Sequence, residues 1–288
     1  MKHAILITAY TSFEHLIHII DTFDNNYTFY IHIDKKSSIA PSMMNKITSN
    51  PKVTFVSQEY IVNWGGKNHL NAILLLVKEA LKNSNIDYIH LISGQDFPIK
   101  SPSEISAYLQ QNKGTQYIDS FLLPTKEWSN GGMPRIEYYN FYDVFNAKSY
   151  LGSKIIKRAL KLQKFFKVRR TYDKNFPPLH GGSTWWTLSY DCLEYIIDYT
   201  VEHPLFLKRF EHTFCSEEIY FQTIIASSPF ADKVSNNNLR YIDWTPRDGI
   251  SPVTLDESDY DTLLQSEAFF ARKFQVPKSK KLLTMLSS

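Results

Sequence analysis

Two adjacent carboxylates, Glu217 and Glu218, stand between Ser216 and the apolar run Ile219-Tyr220-Phe221. Ser216 reads as a helix N-cap, and acids in a first helical turn are favoured by the helix dipole. Capping accounts for one of the pair. The other is placed to be a general base, because a carboxylate against an apolar aromatic wall has its pKa raised towards neutrality. A second candidate is Arg272-Lys273, bracketed by Phe269, Phe270 and Phe274. Solvated charge runs have polar flanks. Half-buried cations require an anion, and a diphosphate is a natural one, with an ion pair to a nearby acid as the plainer alternative. Asp34 and Asp96 form a third group. Each follows an apolar, β-prone run, 27–33 and 88–92, and ligands in open α/β sheets bind beyond the carboxyl ends of strands. A cap or an ion pair with Lys35 would equally explain Asp34, and an Asx-type turn would explain Asp96 in Ser93-Gly94-Gln95-Asp96. Trp64-Gly65-Gly66 either lets backbone approach a ligand or makes a plain loop. Trp185-Trp186, after Gly181-Gly182-Ser183, offers flat apolar surface to a sugar ring, or else puts one tryptophan in the core.

The elements that would position these groups alternate. Strands are expected over 4–8, 27–33, 53–56 and 88–92. Helices are expected over 13–23, with Ser12 as cap, 68–82 and 103–111. This alternation argues an α/β fold with a largely parallel sheet. Further along, an aromatic strand follows Trp185, with helices over 190–199 and from Ser216, and a strand over 239–244. Between 115 and 150 the pattern loosens into an aromatic-rich loop region containing Trp128 and Gly131-Gly132, either an acceptor wall or filler beneath a long loop. No G-x-G-x-x-G or G-x-x-x-x-G-K-[ST] occurs, so a Rossmann fingerprint and a P-loop are excluded.

The 288 residues carry 43% hydrophobic side chains, enough for one large domain, and no linker divides them. A net charge of +3 does not argue for nucleic acid. Two cysteines, Cys192 and Cys215, suit free thiols in a reducing cytosol. The opening apolar run is too short for a signal peptide, and none approaches the ~20 residues of a membrane span. Residues 153–170 hold eight basic side chains and no acid. Lys154, Lys157, Arg158, Lys161 and Lys164 share one helical face, and Ile155, Ala159, Leu162 and Phe166 another. That is the pattern of a basic amphipathic helix lying on an anionic membrane, or of an ordinary solvated helix face.

Taken in order, Tyr30-Ile31-His32-Ile33-Asp34-Lys35-Lys36-Ser37, Trp64-Gly65-Gly66, Leu91-Ile92-Ser93-Gly94-Gln95-Asp96-Phe97-Pro98-Ile99, Gly182-Ser183-Thr184-Trp185-Trp186, Ser216-Glu217-Glu218-Ile219-Tyr220-Phe221-Gln222-Thr223, Arg240-Tyr241-Ile242-Asp243-Trp244 and Phe270-Ala271-Arg272-Lys273-Phe274 resemble the core-2/I-branching β-1,6-N-acetylglucosaminyltransferases and peptide O-xylosyltransferases, glycosyltransferase family 14. The order and spacing of these pieces, more than any one of them, carry the resemblance. It implies a GT-A fold and inverting, metal-independent transfer of GlcNAc or xylose from a UDP-sugar. It implies Glu218 as base, Lys273 and Arg272 at the diphosphate with Arg240 as partner arginine, and Asp34 on the nucleotide side. Trp64, Gly65 and Asp96 fall to the donor side, and Trp185, Trp186 and Glu217 to the acceptor side. Residues 1–288 are then one domain, with a nucleotide-sugar half about 1–112, an acceptor and catalytic half about 113–250 and a basic segment about 251–288. Where the family has Pro-Asp before its base, this chain has Ser216-Glu217. The anchors and many cysteines of vertebrate members are missing, which points to a bacterial cytoplasmic enzyme, peripheral on the inner membrane face through 153–170, with a lipid-linked surface glycan as acceptor.

Metal chemistry gives an independent check. A metal-dependent GT-A enzyme needs Asp-x-Asp at the end of a central strand, with oxygen ligands for the ion. Here that place reads Ser-Gly-Gln-Asp, with one acid. The Asp-x-Asp at Asp259-Tyr260-Asp261 lies at a helix start, where capping explains it. No metal or other cofactor is therefore expected, and tail cations would stabilise the leaving UDP. The alternatives are a metal-dependent transferase using Asp96 and a non-catalytic carbohydrate-binding protein.

Overall fold

The computed structural model describes residues 1–247, 249 and 251–287. Its strands are β1 His3–Ala9, β2 Tyr27–Ile33, β3 Val53–Ser57, β4 Tyr88–Ser93, β5 Asp96–Pro98, β6 Tyr117–Ile118, β7 Phe121–Leu122, β8 His180–Gly181, β9 Trp186–Ser189, β10 Arg240–Ile242 and β11 Phe270–Arg272. The main sheet has the order β3-β2-β1-β4-β9-β6. Its first four strands are parallel, and β9 runs antiparallel to both β4 and β6. All six residues of β4 are buried, as a strand covered on both faces demands of its apolar run. Helices Phe13–Thr22 and Asn68–Ala80 make the crossovers and turn Leu16, Ile20, Ile73 and Val77 onto the sheet. This is the expected α/β fold with a mostly parallel sheet.

The polypeptide end is woven into this frame. Strand β11 pairs in parallel with β10 and antiparallel with β5, in the three-stranded sheet β10-β11-β5. The pairing sets Arg272 directly opposite Asp96. Phe269, Phe270 and Phe274 fill the core beneath, and the Phe274 amide donates to the Gln95 carbonyl at 2.8 Å. The phenylalanine bracket thus holds the Arg272-Lys273 step at the carboxyl end of the central strand.

Several local expectations change. Ser12 lies in the left-handed region (φ 56°) and makes no side-chain cap. Ser101 instead caps Pro102–Gln111 through a capping box with Glu104. A helix at Pro41–Thr48 was not foreseen, because a Ser/Met/Asn-rich run shows little periodicity. The basic segment is helical over Tyr150–Phe165 and stops there. Asp259 closes a capping box with Asp256, as expected of the Asp-x-Asp. Both cysteines are free and buried.

Candidate active site

The acid pair does not open an α-helix. Cys215 adopts a left-handed conformation (φ 49°), Ser216–Glu218 form a 3-10 turn, and the α-helix begins at Tyr220. The Ser216 hydroxyl is buried without a partner, which corrects its reading as a cap. The turn rests on the Trp64-Gly65-Gly66 loop, where the Cys215 amide donates to the Gly65 carbonyl at 3.0 Å. Gly65 has φ +82°, and a Cβ there would lie 2.4 Å from the Phe214 ring. Its freedom therefore serves the close approach of Phe214.

Within this turn the two carboxylates diverge. Glu217 points inward, buried, its Oε1 3.0 Å from His69 Nδ1, with His69 Nε2 3.3 Å from Thr8 Oγ1. That corrects the placement of Glu217 on the acceptor side, because no open surface reaches it. Glu218 keeps a quarter of its side chain exposed. Arg135 Nη1 donates to Glu218 Oε2 at 2.5 Å, and Thr184 Oγ1 donates to Oε1 at 3.4 Å. Burial, then the neighbouring Glu217, push the Glu218 carboxyl above its ordinary range, while Arg135 and Thr184 pull the other way. Burial dominates, and the direction is the one a general base needs. The Arg135 guanidinium stacks 3.6 Å above the Trp128 ring and 5.4 Å from Phe214. Sequence reasoning missed Arg135. Its only signal was the clustering of Trp128 and paired glycines in the same loop-rich stretch.

The cations assemble nearby. Arg272 Nε lies 3.4 Å from Asp96 Oδ1, and its guanidinium sits 4.3 Å over the Trp185 ring. Asp96 is 1% exposed and accepts from the Ser93 amide at 2.6 Å and the Ser93 hydroxyl at 3.0 Å. The Asx-type turn expected of Asp96 is corrected: the side chain that accepts from an amide two residues on is Ser93, from Gln95 at 3.2 Å, and Asp96 braces that turn from behind. Its assignment as a donor contact is corrected, since it positions Arg272 and faces no open space. Lys273 forms no ion pair among the described residues. Burial, then Arg272, then Lys148 depress its ammonium pKa. Lys148, also unforeseen, lies 5.5 Å over the Tyr10 ring, and Tyr10 donates to Gln95 Oε1 at 3.0 Å. Three cations thus lie close enough to feel one another, with one buried acid, Asp96, against Arg272, an arrangement that favours an anion.

Other expectations are corrected by packing. Trp186 is fully buried in β9 against Phe221, so it is core, not acceptor surface. Trp185 is 8% exposed, and its ring carries Arg272 instead of an acceptor sugar. Trp64 is 57% exposed and packs edge-on against Tyr142 and Phe214, close to the turn that carries Glu218. Asp34 Oδ1 accepts from the Lys36 and Val62 amides at 3.0 and 3.2 Å, and Oδ2 faces Lys36 Nζ at 3.5 Å. Its contacts fix its own loop, with Lys36 and not Lys35 as ion partner.

Arg240 is the largest correction. Its Nη2 donates to the Leu91 and Trp186 carbonyls at 3.1 and 2.8 Å, and its Nη1 to the Asn238 carbonyl and Thr187 Oγ1 at 2.8 and 3.2 Å. Stacked 4.6 Å over Phe270, it ties β4, β9 and β10 together and has no free fork for a diphosphate. Burial pulls its pKa down to about 9. Arg240→Met is expected to cost a few kcal/mol of stability, at ~1–3 kcal/mol for each buried carbonyl left unpaired. UDP affinity of the folded fraction should be unchanged. Urea unfolding with nucleotide titration checks this, and lost UDP binding at unaltered stability would contradict it.

One segment joins the two groups. Thr184 hydrogen-bonds Glu218, and the adjacent Trp185 carries Arg272; consecutive Cα atoms lie about 3.8 Å apart. The Gly182 amide donates to the Glu218 carbonyl at 2.9 Å, and Gln222 Nε2 to the Ser183 carbonyl at 2.7 Å. A Cβ on Gly182 would meet the Asp119 carbonyl at 2.0 Å, so the segment can seat only with glycine there. Glu218 and Arg272 therefore flank one short stretch of backbone.

The model of the Core-2/I-Branching enzyme family matches residues 3–264, and the chain belongs to that family. The chain is similar to Xylosyltransferase 2 of Rattus norvegicus, 24% identical over 286 residues, covering 92% of this chain and 30% of the relative. It is also similar to Xylosyltransferase sqv-6 of Caenorhabditis briggsae, 24% identical over 273 residues, covering 86% of this chain and 31% of the relative. The chain thus spans less than a third of the length of these relatives. Among solved structures, the WbbM bifunctional glycosyltransferase aligns with 96% of this chain and 46% of its own, at 12% identity and TM-score 0.42. S. aureus TarS 1-349 in complex with UDP-GlcNAc aligns with 44% of this chain and 35% of its own, at 14% identity and TM-score 0.30.

Proposed function

We propose that the chain is a GT-A glycosyltransferase that moves a sugar, GlcNAc or xylose, from a UDP donor to a hydroxyl of a glycan, with inversion and without a metal. The observation that carries this reading is the juxtaposition of Glu218 and Arg272 on the adjacent residues Thr184 and Trp185. The acceptor oxygen attacks the anomeric carbon as its proton passes to Glu218. The bond from that carbon to the diphosphate breaks, and its electron pair leaves with UDP. Arg272, Lys273 and Lys148 meet the charge that develops. Inversion is supported by Glu218 being, among the described residues of the site, the partly exposed carboxylate that no backbone amide engages, Asp143 being held by the Lys67 and Asn68 amides, since a retaining double displacement would need a second as nucleophile. Independence of metal is supported by the surroundings of Asp96. Both its oxygens accept hydrogen bonds and a guanidinium lies against it, so a cation already occupies the place a divalent ion would take. Membership of a branching-enzyme family and relatives named xylosyltransferases support sugar transfer as the class. Trp64, exposed beside the base, offers a stacking face for an acceptor sugar.

A thermal-shift screen over nucleotide sugars, with and without EDTA, tests the donor. A ligand at 100 times its Kd stabilises by ~2.7 kcal/mol. UDP-sugars are expected to raise Tm equally in both conditions. Glycan binding with no response to any UDP compound would point instead to a carbohydrate-binding protein.

A further inference from the structure

The helix Tyr150–Phe165 and the turn after it present a surface that the transfer chemistry does not use. Lys154, Lys157, Arg158, Lys161, Lys164 and Lys167 are exposed, and none forms an ion pair among the described residues. Large apolar side chains stand out among them: Leu151 is 66% exposed, Leu162 56%, Phe165 76% and Phe166 67%. Only Gly152 and Ile156 of this helix are buried. Phenylalanines left in water beside unpaired lysines are poorly explained by folding alone, whereas the combination matches a surface that enters the headgroup region of a bilayer. An open groove of about 370 Å³ at the start of the helix, whose lining includes Tyr150, Ser153, Lys154 and Lys157, has the charge and room for a phosphate headgroup.

We propose that this helix is an interfacial docking surface for an anionic lipid bilayer. Charge complementarity selects the occupant: six unpaired cations suit anionic headgroups and would repel a second copy of the same face. The surface is also tied to the site. Gln163 accepts from the Tyr139 amide at 2.7 Å and donates to its carbonyl at 3.0 Å, and the Arg170 amide donates to the Glu137 carbonyl at 2.8 Å. Glu137 lies two residues beyond Arg135, the partner of Glu218. Docking would therefore hold the Glu218 side of the molecule near the membrane, where a lipid-linked acceptor would present its hydroxyl. That last consequence rests on the proposed function, while the docking itself does not.

Flotation of the full chain with vesicles of phosphatidylcholine, pure or with 30% phosphatidylglycerol, tests the proposal without nucleotide or turnover. Binding to the mixed vesicles should be at least tenfold tighter than to the neutral ones and should weaken with salt, given on the order of fivefold per basic residue at an anionic surface. Phe165→Ser with Phe166→Ser should weaken it about tenfold at unchanged Tm, and Lys157→Glu with Lys161→Glu should abolish it. Equal partition into both vesicles, no binding, or indifference to the phenylalanine substitutions would overturn the proposal. So would a dimer in light scattering that the phenylalanine substitutions dissolve, which would assign the face to a second copy.

Discussion

Glu218→Gln is expected to lower kcat by ~10²–10⁴, the range of a lost general base, while leaving UDP affinity within a factor of two. The amide keeps the shape of the carboxylate but cannot take the acceptor's proton. Folding should not suffer. Because burial raises the Glu218 pKa, the ionised form costs stability near neutral pH, and a neutral glutamine removes that cost. The same shift sets the pH dependence. The base works deprotonated, so kcat/KM should fall as pH drops through a pKa above the ordinary carboxylate range. Arg135→Met removes the cation that holds this pKa down, and the acid limb should move to higher pH. A uniform loss at every pH would make Arg135 merely structural, and near-normal turnover of Glu218→Gln would remove Glu218 from the mechanism.

Lys273→Ala should act on the other half of the reaction. A hydrogen bond to a charged group contributes ~1.5–3 kcal/mol, so loss of the ammonium should weaken UDP binding about 10- to 150-fold. Arg272→Ala should weaken it similarly and lower kcat as well, since leaving-group charge grows in the transition state. With its pKa already depressed by burial and by Arg272 and Lys148, Lys273 should lose its proton below the usual lysine range. UDP affinity should then fall on the alkaline side sooner than for a solvated lysine. Calorimetric titration of UDP across pH reads all of this. Unchanged affinity in both variants would place the phosphates elsewhere.

How much of this was legible in the chain depends on how local each signal is. The strand ending at Ser93 announces itself by an unbroken apolar run, and the parallel sheet follows from alternating periods. Glu218 was visible as one of two acids in a turn before a helix, and Arg272-Lys273 by its phenylalanine bracket. Arg135 and Lys148 were not visible, because what defines them is a tryptophan face, a tyrosine face and partners far along the chain. Arg240 looked like any strand-end cation. Its partners are main-chain carbonyls brought together only when β4, β9 and β10 assemble, and carbonyls leave no mark in a sequence. The tryptophan pair misled for a related reason. Strand alternation would expose one of two neighbours, but Trp186 in β9 is covered by Phe221, and Trp185, just before the strand, is covered by Arg272. The divergence of Glu217 from Glu218 likewise needed the left-handed Cys215, which tightens the turn before the helix begins.

That positively charged side chains do the work of a divalent ion is tested most directly by the initial rate of sugar transfer from the preferred UDP donor. Protein stripped with EDTA should be compared in chelator and after addition of excess Mn²⁺. The site built from Glu218, Arg272 and Lys273 predicts equal rates in the two samples. A rate abolished by EDTA and restored by Mn²⁺ would contradict it.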